Sequence, residues 1–417
     1  MKTDTVGSAI VIGAGIIGTA SALRLAQAGL ATTLIDWQEP GHGASSGNAG
    51  SISAESIVPI ALPGMLAQVP KWLMDPKGPL NVRWRYLPRA APWLLKWLQA
   101  SRMKTVETSA VALRGLLHSA VDEYEDLLGP EHSARLIRRR GQMILWQSPD
   151  QTRSERAGHA LREKHGVAMR WLSADDITDL EPALAPVFAR GLLLERHGHM
   201  IDPLATVAAL AAKFTAAGGI IRKARVATLD RAATGATRVV LEGGETLHAD
   251  RYVVSAGAWS TRLLARLGVH IPLETERGYH VTLKGIDGMC SRPIMHADKA
   301  FIVSQMAMGL RVAGTVEIAG VDAPPNYDRA KLLTGHVRAM FRDLPEAVAE
   351  YWMGCRPSVP DSVPVIDRVL AAPDVIVAFG HGHLGMTGAP ATARIVRDLV
   401  LSRHSNIDIS AFGIHRF

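Results

Sequence analysis

Ser8-Ala9-Ile10-Val11-Ile12-Gly13-Ala14-Gly15-Ile16-Ile17-Gly18 reads as a short buried strand running into a Gly-x-Gly-x-x-Gly turn, and the next apolar run, Ala31 to Ile35, ends on an acid, Asp36. Glycines at these spacings let the backbone turn tightly and approach a pyrophosphate. The helix that follows offers free N–H groups and the positive end of its dipole, and the acid accepts ribose hydroxyls. Ile16 to Ala28 has helical apolar spacing and closes at Gly29. Strand, glycine turn, helix, strand and acid in this order predict a dinucleotide cradle at the start of an α/β fold.

The chain has 417 residues, beyond the roughly 250 to 300 at which a single core stops growing, so two domains are expected. Its two cysteines, Cys290 and Cys355, lie far apart and in no metal-ligand or redox spacing. That predicts a reduced compartment, no disulfide framework and no metal site. Asp4 interrupts the N-terminus before any apolar stretch, and no apolar run reaches the roughly 18 residues of a membrane span. The expected location is cytoplasmic, with peripheral contact on the inner face of the membrane as a second element of the same expectation.

That second element comes from the charge. The formal balance is +7, and between Lys71 and Lys104 eight basic residues face Asp75 alone. The same stretch holds Trp72, Trp84, Trp93 and Trp97 and the prolines 76, 79, 88 and 92, with Pro70 just before it. Basic, Trp-rich and Pro-broken composition suits a membrane interface, where amphipathic rings sit beside cations drawn to anionic lipid. The alternative is a cap over the active site whose tryptophans are core and whose charges are solvated. No recognisable nucleic-acid module accompanies the patch, so nucleic acid is not expected as a partner.

Farther along, Val106 to Leu128 predicts one long helix stopped by Gly129-Pro130. Asp202-Pro203 starts an Ala-rich helix ending at Gly218-Gly219, before a strand from Ile220 to Val226. Tyr252 to Ser255 and Val375 to Phe379 read as buried strands, the latter followed by a helix from about Met386 to Leu401. From Gly278 to Leu283, and through Ala300 to Val316, alternation predicts an antiparallel sheet covered on one face. The nucleotide domain is therefore expected in pieces, interrupted twice by a second domain.

Three separated motifs add to the cradle: Ala44-Ser45-Ser46-Gly47-Asn48-Ala49-Gly50, Gly354-Cys355-Arg356-Pro357, and Gly380 to Thr387. Together, and in order along the whole chain, they resemble the FAD-dependent D-amino-acid dehydrogenase/oxidase family, in particular its bacterial dehydrogenases and the D-hydroxyproline dehydrogenases. The resemblance implies FAD, held non-covalently, and a discontinuous Rossmann-like domain over residues 1–56, 190–275 and 355–417. The rest, 57–189 and 276–354, would form a substrate domain with a mixed or antiparallel sheet and covering helices. The implied reaction oxidises a D-amino or D-imino acid by hydride transfer from Cα to flavin N5. It gives an imino acid, then a 2-oxo acid and ammonia, with electrons passing to a quinone or another acceptor. D-proline or D-hydroxyproline oxidation to a cyclic imine, glycine or sarcosine oxidation, and a flavin-binding scaffold subunit stay open beside it.

Carried over residue by residue, the resemblance puts Gly13, Gly15, Ile16, Ile17, Gly18, Asp36 and Trp37 on the ADP half of FAD. Ser45, Ser46, Asn48, Ala49, Gly50 and Ser51 would pass the pyrophosphate and flavin ring, and Val226, Ala256, Gly257 and Trp259 the adenine side. Trp37 departs from relatives that often carry a charge there. Gly382, His383, Leu384, Gly385, Met386 and Thr387 would aim a second helix start at the flavin. Arg356 is implied as the carboxylate clamp, its planar fork matching a carboxylate. Tyr279 is implied as a second carboxylate ligand, or else packs within the sheet. His383 is a candidate catalytic group and His381 invites the same reading, with ring orientation or packing as the alternative. His42, in Gly41-His42-Gly43, is a candidate covalent tether, but non-covalent FAD is expected.

Overall fold

The computed structural model describes residues 6–63, 78, 80–232 and 235–417. The cradle forms as read, with strand Ser8–Ile12, helix Ile16–Gln27 and strand Ala31–Asp36. These belong to a six-stranded sheet in the order Ile220–Lys223, Ala31–Asp36, Ser8–Ile12, Arg251–Val254, Val375–Phe379, Val365–Arg368. The first five strands are parallel and the last is antiparallel. Val375–Phe379 is buried at every position, as a central parallel strand must be when both faces are covered. Helix Ile16–Gln27 packs against helices Gly385–Val400 and Pro203–Ala216, and alanines such as Ala20, Ala22, Ala389 and Ala393 in that buried layer allow close approach. Asp202 caps the latter helix by accepting from the Ala205 N–H at 2.9 Å, with Pro203 at its first position.

The second body is a nine-stranded mixed sheet, mostly antiparallel, in which the long strand Glu274–Lys284 lies between Gly309–Ile318 and the edge strand Ala349–Ser358. Several expectations are corrected here. Glu274–Lys284 is buried on both faces, not one, because one side packs on a core and the other looks into the cavity described below. Arg190–Leu194 pairs with Gln142–Trp146 and Met169–Leu172, and residues 355–358 finish the strand Ala349–Ser358. Both stretches thus join the substrate sheet, not the nucleotide domain. The expected strand from Ile220 to Val226 ends at Lys223, and Val226–Arg231 opens a separate three-stranded meander.

The single helix expected over 106–128 is two, Met103–Leu117 and Ala120–Leu128. Ser119 precedes the second with non-helical backbone, and its hydroxyl bonds the Glu123 carboxylate, a local hydrogen bond that competes with helix continuation. Both cysteines are free and buried. Among the described residues no helix is long and apolar enough to cross a membrane, and no group of three or more His, Cys, Asp or Glu is placed to hold a metal ion.

Candidate active site

A cavity of about 790 Å³ runs from the glycine turn to the substrate sheet, within the roughly 300–1,000 Å³ range of ligand sites. At one end Gly13 has φ +104°, and a Cβ there would lie 2.4 Å from the Ser255 carbonyl oxygen. A Cβ on Gly18 would lie 1.8 Å from the Gly13 carbonyl oxygen, so strand, turn and helix close on each other only without side chains. The Asp36 carboxylate accepts from the Ala14 N–H at 2.7 Å and the Gln38 N–H at 2.9 Å, which locks the acid at the cavity wall. Trp37 meets Trp259 edge-on, with ring centres 6.0 Å apart, and the Arg225 guanidinium covers Trp37 at 3.8 Å. Trp37 is thus built into a cation–π stack at the mouth.

Ser45 accepts from the Ile16 N–H at 3.0 Å, at the start of the first helix. The loop that follows is gripped from the substrate sheet through three consecutive carbonyls. Arg311 donates to Ser46 O at 2.9 Å and Asn48 O at 2.8 Å, and His280 Nδ1 lies 3.0 Å from Gly47 O. A carbonyl only accepts, so Nδ1 carries the proton. Burial, with Arg311 beside it, pushes the His280 pKa down to about 3 and keeps the ring neutral. Its face stacks on Trp352 at 4.9 Å.

At the far end strand alternation decides which side chains face the cavity. Glu276, Gly278 and His280 pair with Arg356, Gly354 and Trp352 of the neighbouring strand, and Glu276, Trp352 and Arg356 line the cavity. Arg356 lies against Gly278, where a Cβ would be 2.3 Å from Cζ. Burial lowers its pKa while Glu276 raises it, and neither residue makes an ion pair within 4.0 Å among the described residues. Over this end lies helix Leu87–Ala100, with Trp93 and Trp97 turned inward. The Trp93 indole N–H donates to Ser358 O at 3.1 Å, tying the roof to the strand that carries Arg356.

Of the residues expected at the site, Gly13, Gly15, Ile16, Ile17, Asp36, Trp37, Ser45, Asn48, Ala49 and Ser51 line this one cavity. So do Val226, Ala256, Gly257, Trp259, Arg356, Gly382, His383, Gly385 and Met386. Others stand behind the wall. Gly18 packs the turn, and the Ser46 hydroxyl donates to Gly43 O. The Gly50 carbonyl accepts from Met200 N–H, Leu384 is core, and the Thr387 hydroxyl accepts from Ser53 N–H. His383 is held at about pKa 4 by its surroundings, desolvation first and then Arg356, so it is a neutral ring at pH 7. His381 bonds Thr392 Oγ1 at 2.9 Å and is neutral too. His42 is exposed, beside Pro40 O, outside the cavity.

Tyr279 requires correction. Alternation turns it and Arg277 away from the cavity, into a network around the buried Glu317. The Tyr279 hydroxyl donates to Glu317 at 2.6 Å and accepts from the Asn326 N–H at 3.0 Å. Arg277 and Arg83 approach the same carboxylate at 3.1 and 2.8 Å. Tyr279→Phe is therefore expected to cost about 1–3 kcal/mol of stability by stranding buried polar groups, with KM unchanged. A raised KM at full thermal stability would return the hydroxyl to the substrate. Sequence reasoning had missed Glu276, His280, Arg311 and Trp352, although the period-2 pattern around Gly278 carried the signal for Glu276 and His280.

The residues present fit FAD. A glycine turn closed to side chains, a helix start, a fixed acid and an aromatic mouth share one cavity with a second helix start at Gly385. A family model described as "DAO: FAD dependent oxidoreductase" matches residues 8–399. A D-amino-acid oxidase of Bradyrhizobium diazoefficiens is 41% identical over 98% of each chain. A D-amino acid dehydrogenase of Paramagnetospirillum magneticum is 33% identical, again over 98% of each. The solved glycine oxidase of Geobacillus kaustophilus superposes with a TM-score of 0.73 at 20% identity, covering 98% of both chains. With a glycine cradle, an interleaved parallel sheet and this match along nearly its whole length, the chain belongs to the DAO family of FAD-dependent oxidoreductases.

Proposed function

We propose that the protein oxidises D-amino acids, yielding an imino acid that hydrolyses to a 2-oxo acid and ammonia. The observation that carries this reading is Arg356. It is a guanidinium without an ion-pair partner within 4.0 Å among the described residues, on the wall of the cavity that holds the cradle. A planar fork in a desolvated site is matched to a carboxylate. Bound FAD supplies the hydride acceptor; the protein supplies orientation and exclusion of water. Trp93, Trp97, Leu80, Val82 and Ile318 build the apolar wall next to the clamp, which favours apolar substrate side chains. The names of the relatives support the D configuration. Anaerobic bleaching of the flavin band by D-alanine and larger apolar D-amino acids, and not by their L-enantiomers, is the expected result. Bleaching by D-proline or cis-4-hydroxy-D-proline alone would transfer the reading to cyclic imino acids, and bleaching by glycine or sarcosine alone to those amines.

For the acceptor, the exposed residues of the roof helix and of the segments flanking it favour a quinone in the membrane. Trp84 and Leu95, 75% and 59% exposed, and the exposed Leu98 and Met103 alternate along residues 84–104 with the exposed Arg85, Arg89, Lys96, Arg102 and Lys104. Apolar side chains ringed by cations suit an anionic lipid surface. Trp93 and Trp97 are buried, as the alternative of a cap with core tryptophans has them and not as the interfacial reading does, and Trp72 lies outside the described residues. Co-sedimentation with anionic liposomes is expected for the wild type and is expected to be lost in a Trp84→Ser, Leu95→Ser double variant that keeps its flavin. Rapid turnover with oxygen and none with a soluble quinone would make the protein an oxidase.

A further inference from the structure

We infer that Glu276 is the substrate's amine partner, taking the ammonium of the amino acid whose carboxylate lies on Arg356. The inference deepens the proposed function and rests on it. Three observations carry it. Glu276 is the direct cross-strand neighbour of Arg356 and lines the same cavity wall. It is buried, 7% exposed, and makes no ion pair within 4.0 Å among the described residues, although a cation stands on the next strand. The residue between Glu276 and His280 on that face is a glycine whose bare Cα makes room for the guanidinium. One negative and one positive side chain, held side by side on rigid strands and open to the cavity, are complementary to a zwitterion.

A buried carboxylate without a tight counterion is costly to keep, and a ligand ammonium removes that cost on binding. Burial raises the Glu276 pKa, with Arg356 and then Ser358 acting in the opposite direction, and Glu274 lies two residues along the strand. Held on the cavity wall beside Arg356, Glu276 is also placed to take a proton from the bound ammonium. The substrate N–H bond breaks, its electron pair stays on nitrogen, and the proton forms an O–H bond on Glu276. Nothing is oxidised or reduced in this step, which leaves the neutral amine that hydride loss from Cα requires.

The rival role for Glu276 is that of a counterion to Arg356. The FAD-loaded wild type and Glu276→Gln are compared in two assays: benzoate binding, read from the perturbed flavin spectrum, and the dissociation constant for a D-amino acid in anaerobic reduction. An amine partner predicts that Glu276→Gln binds benzoate as tightly or more tightly, binds the amino acid about 10- to 100-fold more weakly, and that Glu276→Asp recovers part of the loss. Equal changes for both ligands would reduce Glu276 to a counterion and overturn the inference while leaving D-amino-acid oxidation in place. A wild type that binds benzoate but is bleached by no amino acid would overturn the functional reading and this inference together.

Discussion

If the proposed function holds, Arg356→Leu is expected to raise the KM for D-amino acids by about 10²- to 10³-fold, the kinetic equivalent of losing a desolvated, charge-assisted pair worth roughly 3–4 kcal/mol. The size follows from where the guanidinium stands. It lies over Gly278, on a strand fixed by a continuous register with Glu274–Lys284, so little conformational freedom is lost when it meets a carboxylate. Arg356→Lys keeps the charge but gives up the fork, and an intermediate KM is expected. Because Leu leaves the cradle untouched, the variant should purify with a full complement of flavin. Steady-state kinetics beside the ratio of flavin to protein absorbance checks both statements. An unchanged KM would remove Arg356 from the substrate.

The second large effect is structural. Gly18→Val places a Cβ where 1.8 Å separates it from the Gly13 carbonyl oxygen and 2.6 Å from the Ser255 hydroxyl. Neither backbone oxygen nor buried hydroxyl can yield, since Ser255 itself donates to Ile12 O at 3.0 Å and its N–H to the same oxygen at 2.9 Å. The first helix must therefore lift from the turn. Overpacking a core costs about 1–3 kcal/mol even where side chains can adjust; here the backbone must move, and with it the helix start that would face the pyrophosphate. The expected product is protein without yellow colour and with a lower melting temperature. Stoichiometric flavin in purified Gly18→Val would contradict the assignment of this turn to the cofactor.

The cradle was legible because everything that defines it is local. Gly13, Gly18 and Asp36 sit within one strand-helix-strand unit, and their spacing reports the turn directly. Arg356 was found through a resemblance, yet its partner across the sheet was not, because strand pairing joins residues far apart in the chain and no local pattern announces the register. Tyr279 shows the cost. Once Gly278 is known to pack under Arg356, alternation alone sends Tyr279 to the opposite face, but that pairing had to be seen first. Arg311 was illegible for a different reason. Its guanidinium is spent on main-chain carbonyls of a distant loop, and a carbonyl leaves no mark in a sequence. The roof helix was legible as composition only. Which of its tryptophans turn inward depends on the strand at Ser358 that receives the Trp93 N–H.

The grip of Arg311 and His280 on three successive carbonyls has a thermodynamic consequence for the whole chain. The loop 45–48 belongs to the cofactor's side of the cavity, but its conformation is enforced by the substrate sheet, so the affinity for flavin contains the free energy of seating one sheet against the other. Linkage then runs both ways: flavin that binds only the seated arrangement stabilises it by RT ln(1 + [flavin]/Kd). Titrating the apoprotein with FAD should merge two calorimetric transitions into one as the concentration rises. Anything that loosens the seam, even far from the isoalloxazine, should register as cofactor loss before it registers as unfolding.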